Sequence, residues 1–108
     1  MLEFPNPVSK NIIAEDDSLY KHPEVMLLNK EQWSYIKRRY RISARELEVA
    51  KLICRGFSNK EITNDLGIAL GTVKTHLRNI YRRVHVKNKI TLLLRFMDDI
   101  DKLFGQSG

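Results

Sequence analysis

Two short signals cut the middle of this chain into helices: Ser43-Ala44-Arg45-Glu46 and Ser58-Asn59-Lys60-Glu61. Each has the pattern of a capping box, in which the serine hydroxyl accepts from the backbone three residues on and the glutamate reaches back to the serine N–H. Gly56 and Gly67 stand where the stops belong, since glycine takes the left-handed conformation of a helix end at little cost. The helix from Ala44 sets Leu47, Ala50, Ile53 and Cys54 inward and leaves Leu52 pointing the other way. The next, about Asn59 to Leu66, turns Ile62 and Leu66 inward, and a tight turn follows. A chain punctuated in this way is all-α.

The third helix, about Leu70 to Val84, places Leu70, Val73, Leu77, Ile80 and Val84 at alternating spacings of three and four, which is one continuous buried stripe. At about 100° per residue, Gly71, Thr75, Arg78 and Arg82 fall together on the opposite side, with Lys74 and Asn79 on the shoulders. Arginine, lysine, threonine and asparagine on one face supply the donors and acceptors needed to read base edges. Charge concentrates at the same place. Residues 1–36 hold three lysines against six carboxylates, a balance of −3, so the remainder carries +9 of a net +6. From Leu70 to Lys89 there are Lys74, Arg78, Arg82, Arg83, Lys87 and Lys89 and no carboxylate. Such a field attracts polyanions, chiefly nucleic acid or an anionic membrane surface, although a basic run is also often only a solvated helix face.

Before the first capping box the pattern is looser. Pro5, Pro7 and Pro23 and the polar run Glu15-Asp16-Asp17-Ser18 mark residues 1–28 as a partly disordered arm, with at most a short turn near Ile12 and Ile13. Asn29 can cap an accessory helix over residues 29–41, whose Trp33, Ile36 and Tyr40 share one stripe; that stripe is suited to cover Leu52. Its other side, with Lys37, Arg38 and Arg41, could approach DNA while the helix packs on the domain, but reads first as a solvated face. The fourth helix of the domain starts near Asn88. It puts Ile90, Leu93, Leu94, Met97, Ile100 and Phe104 on one broad face, taken as the inner one, with Leu92, Phe96 and Leu103 about a quarter turn away. That second stripe is more apolar area than the edge of a small domain needs, which points to a homodimer through Leu92, Phe96 and Leu103; cover by the arm or by the Trp33 helix is the other reading.

Length and composition set the outer limits. At 108 residues, 43% hydrophobic and 30% charged, the chain is one soluble globular domain with room for a modest core. No stretch approaches a membrane span and the first residues lack the layout of a secretory signal, so the expected location is cytoplasmic. Cys54 stands alone and reads as a core thiol. His22, His76 and His85 lack metal-ligand spacing, no phosphate loop or nucleophile with a base partner is apparent, and Asp98, Asp99 and Asp101 read as solubilising. No enzyme activity, cofactor, metal or small-molecule ligand is expected.

Taken in order, Ile42-Ser43-Ala44-Arg45-Glu46-Leu47-Glu48-Val49, Gly56-Phe57-Ser58-Asn59-Lys60-Glu61-Ile62, Leu66-Gly67-Ile68 and Thr72-Val73-Lys74-Thr75-His76-Leu77-Arg78-Asn79-Ile80 resemble the LuxR-type helix-turn-helix domain, also called the NarL/FixJ type. The likeness runs from about Tyr35 to Ile100. It implies a bacterial four-helix domain over residues 42–104, with the helix-turn-helix motif at about 59–78, that binds double-stranded DNA as a dimer and controls transcription; RNA polymerase is a further candidate partner. Carried onto this chain, the resemblance gives Lys74, Thr75 and Arg78 as base contacts and Lys60, Thr72, His76 and Arg82 as phosphate contacts. Arg78 can offer two parallel donors to guanine, and the Thr75 methyl can meet a thymine methyl. His76 lies towards the flank, where a hydrogen bond between helices would serve it equally.

Three departures stand out. Ala69 replaces the usual serine cap, at about 1 kcal/mol. Lys89 replaces a common arginine, and Ile90-Thr91-Leu92-Leu93-Leu94 is bulkier than the usual pattern, which leaves the dimer geometry open. Two rivals to the DNA-binding regulator remain. A promoter-reading sigma-factor domain shares the Arg-Glu start and the Thr-Val-Lys run, but the Thr75–Ile80 run and the long apolar fourth helix fit the LuxR type better. An interaction module that pairs with a related regulator would have no use for the carboxylate-free face.

Overall fold

Both serine boxes close. In a computed structural model, which describes His22 and residues 27–105, Ser43 accepts from the Glu46 amide while Glu46 accepts from the Ser43 amide, and Ser58 and Glu61 do the same. Asparagines build two more boxes, Asn29 with Gln32 and Asn88 with Thr91. The helices they begin are α1 (Lys30–Tyr40), α2 (Ala44–Cys54), α3 (Asn59–Leu66) and α5 (Lys89–Phe104). Among the helices of the described residues, only α4 (Leu70–Val84) starts without a side-chain cap, at Ala69. No strand occurs among the described residues.

The stops are mostly left-handed. Gly67 ends α3 at φ 67°, as a glycine there should. Arg41 and His85 end α1 and α4 at φ 56° and 64°, where a side chain is strained and glycine or asparagine is the usual choice.

The amphipathic stripes then pack. α2 and α3 both lie on α4, and α5 rests on α2 and α4. Val73, Leu77, Ile80 and Val84 are buried in the centre of the core with Val49, Ala50, Ile53 and Ile62. Leu70, the first residue of the stripe, is 43% exposed at the opening turn of α4. Leu47 is only half-buried. Leu28, just ahead of α1, is fully buried and was not foreseen as core. The arm and the turn near Ile12 and Ile13 otherwise fall outside the described residues.

The largest correction concerns α5. Leu92 and Phe96 are completely buried, whereas Ile90 and Leu94 of the supposed inner face are 71% and 60% exposed. At Ile90, Leu92, Leu94 and Phe96 the two stripes have exchanged roles, because α1 supplies the cover, while Ile100 of the expected inner face is buried as foreseen. Trp33 meets the Phe96 ring edge-on at 5.7 Å and Tyr40 lies 6.1 Å from it. Tyr40 also donates to Asp99, to which the Arg39 guanidinium is paired at 3.6 Å. Asp99 is therefore an anchor between α1 and α5, not a solubilising charge. Leu92 and Phe96 belong to the monomer core and cannot form a dimer surface; Leu103, beyond the end of this packing, stays exposed. Trp33 also reaches α2, where it lines a cavity of about 290 Å³ with Leu52, Leu27 and Leu66.

Candidate nucleic-acid interface

With its back in the core, α4 turns the opposite side to solvent. Gly71, Thr75, Arg78 and Arg82 are all exposed along that side, as are Lys74 and Thr72 beside it. A β-carbon added at Gly71 would meet nothing within 4 Å, so the front of the first turn is open to close approach. Lys74, Thr75 and Arg78 make no side-chain hydrogen bond or ion pair with any described residue. Arg82 donates one hydrogen bond, to Asn79 Oδ1 at 2.9 Å, and keeps its remaining donors.

Helix starts add to this positive character. α3 and α4 are joined by a short turn at Gly67–Ala69, and the exposed Lys60 stands in the first turn of α3. Free amides at such starts favour an anion. At α4 the Thr72 amide already donates to the Ala69 carbonyl at 3.0 Å, so Thr72 has its hydroxyl to offer rather than its N–H. His76 is half-buried on the flank and makes no hydrogen bond with a described residue; the expected link between helices is absent there.

Arg83 makes the link instead. Its guanidinium donates to the buried carboxylate of Glu46 at 2.7 Å and to the Arg41 carbonyl at 2.8 Å. The sequence reading found Glu46 as a cap and missed this second role; the available signal was the angle of Arg83, which lies on the flank of the stripe and not on its front. Glu61 likewise serves twice, accepting from the Ser58 amide and pairing with His22 at 3.0 Å. These donors hold its carboxyl below the ordinary glutamate range. His22 also stacks on Phe57 with ring centres 4.2 Å apart.

A short helix, a three-residue turn and a longer helix with a buried back and a cationic front define a helix-turn-helix domain. Residues 41–96 match the model of the luxR family of bacterial regulatory proteins, and the chain belongs to that family. YhjB of Escherichia coli (strain K12) is 50% identical over 48 residues, covering 44% of this chain and 24% of that protein. The HTH-type transcriptional regulator MalT of Vibrio campbellii is 33% identical over 84 residues, 78% of this chain but 9% of its own length. A monoamine regulon transcriptional regulator of Klebsiella aerogenes is 44% identical over 54 residues, half of this chain and 24% of that protein. The chain thus spans about a quarter or less of these relatives. No solved structure matches it. Among the described residues no helix is long and apolar enough to cross a membrane, and no group of side chains could hold a metal ion.

Proposed function

We propose that the chain is a sequence-specific, cytoplasmic DNA-binding transcription regulator that inserts α4 into the major groove and pairs through α5. The observation that carries this reading is the front of α4: Lys74, Thr75, Arg78 and Arg82 exposed on a helix whose back is buried from Val73 to Val84, in a stretch without carboxylates. Lys74, Thr75 and Arg78 read bases. Lys60, Thr72, His76 and Arg82 hold phosphates, which fix the register of the helix but carry no sequence information. Two copies place two such helices on half-sites about one helical turn apart, roughly 34 Å. RNA polymerase is a partner that a regulator of this kind would meet on the same duplex.

The test is selection of bound duplexes from a random pool. Enrichment of a two-fold symmetric site, with affinity falling steeply as salt rises, is the expected result. The Arg78→Ala variant should then lose about 1–3 kcal/mol and relax preference at one base position. If it binds every sequence as tightly as the parent, Arg78 does not read bases. No salt-sensitive binding to any duplex would favour the interaction module.

A further inference from the structure

We propose that the corner at the end of α1, formed by Lys37, Arg38 and Arg41, is a second DNA contact, made to the phosphates flanking the site read by α4. This inference rests on the DNA-binding reading above and extends it to a helix that lies mostly ahead of the family match at residues 41–96.

From Gln32 to Arg45 the chain holds five cations, Lys37, Arg38, Arg39, Arg41 and Arg45, and no carboxylate. Two are neutralised within the fold, Arg39 by Asp99 and Arg45 by Glu48 at 2.7 Å. Lys37, Arg38 and Arg41 are exposed, and their side chains pair with no described residue. A helix C-terminus welcomes positive charge, but Lys37 and Arg41 at i, i+4 and Arg38 and Arg41 at i, i+3 also repel one another. Arg41 adds a further cost, standing at φ 56° where glycine is the inexpensive residue. Crowded, unneutralised cations are what a polyanion relieves.

The position of the corner selects the polyanion. Arg83 of α4 is hydrogen-bonded to the Arg41 carbonyl, and the Glu46 oxygen that holds Arg83 also accepts from the Ser43 amide. The chain from Arg41 to Ser43 is therefore pinned to the last turn of the recognition helix, one residue past Arg82 on its outward stripe. The corner of Lys37, Arg38 and Arg41 is thus held at a fixed offset beside the C-terminal end of α4, on the flank that Arg83 occupies. A helix in the major groove emerges at its ends beside the backbone, so cations held past its C-terminal end meet phosphates outside the bases that α4 reads.

The test uses the full chain and its Lys37→Ala/Arg38→Ala/Arg41→Gly variant. Glycine suits the left-handed cap, so melting temperature should hold or rise, which separates loss of contact from loss of fold. Binding is measured across a salt series on the selected duplex cut close to its ends, and on the same duplex lengthened by about 10 base pairs on each side. We expect the variant to lose about tenfold or more on the long duplex, uniformly across sequences, with a salt slope shallower by roughly 2 to 3 for each bound copy. On the short duplex the loss should be under about twofold. Equal losses on both lengths would overturn the flanking contact. No loss on either would overturn any DNA role for the corner and leave it to another acidic partner. If the parent itself binds no duplex, the reading of α4 fails and the corner falls with it; if only the variant matches its parent on both lengths, α4 stands and the corner alone is refuted.

Discussion

Arg82 and Arg83 follow one another in α4, yet the step of about 100° between them sends one guanidinium outward to Asn79 and the other back to Glu46 and the Arg41 carbonyl. Glu46 is buried, so removing its partner leaves a carboxylate with too little water to compensate. Arg83→Met should cost about 1–3 kcal/mol in chemical unfolding, at the lower end because Arg83 is itself partly exposed, and should leave the salt slope of DNA binding unchanged. Arg82→Met should do the reverse. Cys54 poses a different problem at the same scale: burial pushes its thiol up to about 12. The folded state then keeps a proton that the unfolded chain gives up from its ordinary value of 9.0, so stability falls as pH rises between the two. Tyr40 and Tyr81, also raised by burial, act in the same direction from 10.0 upward. Denaturant titrations across this alkaline range should show the decline, less steep in Cys54→Ala, and alkylation of the half-buried native thiol should be slow near neutral pH. An unchanged slope in the variant would remove Cys54 from the account.

At the scale of the element, starts and stops were legible because caps are local chemistry: Ser43, Ser58 and Asn29 needed only neighbours three residues away. The cationic front of α4 was legible too, since its buried stripe had no competitor. α5 was not. Two apolar stripes lie a quarter turn apart on it, and which one turns inward depends on Trp33 and Tyr40, far away in the chain. The clamp from Arg83 to Glu46 was hidden for the same reason, as an ion pair between distant residues leaves no local pattern. Ala69 is the one start at which the local rule is broken and the structure offers nothing in exchange, for α4 begins with no side-chain acceptor. Ala69→Ser should add about 1 kcal/mol and slow hydrogen exchange at the amides of the first turn of α4. If exchange slows but DNA binding weakens, the open first turn beside Gly71 has a functional use; if neither changes, the serine hydroxyl has not capped the helix.

For the whole molecule, the burial of Leu92 and Phe96 changes which residues of α5 the proposed pairing would use. Leu92 and Phe96 are committed to the core under α1, and what α5 leaves outside is Ile90 and Leu94, four residues apart on one line, with the half-buried Met97 beside them. Burying such a stripe against its copy would gain roughly 25 cal/mol for each Å² of apolar surface removed from water, and a duplex binding both copies would add to it. Ile90→Lys with Leu94→Lys should keep the melting temperature of the parent, since neither side chain supports the core, yet sediment as a monomer and bind a duplex carrying two half-sites no better than a duplex carrying one. Phe96→Lys should instead unfold the chain, because the charge would lie beneath Trp33 and Tyr40 without a partner. A double lysine variant that remains dimeric would show that pairing uses another surface, with the exposed Leu103 at the end of α5 as the next residue to change.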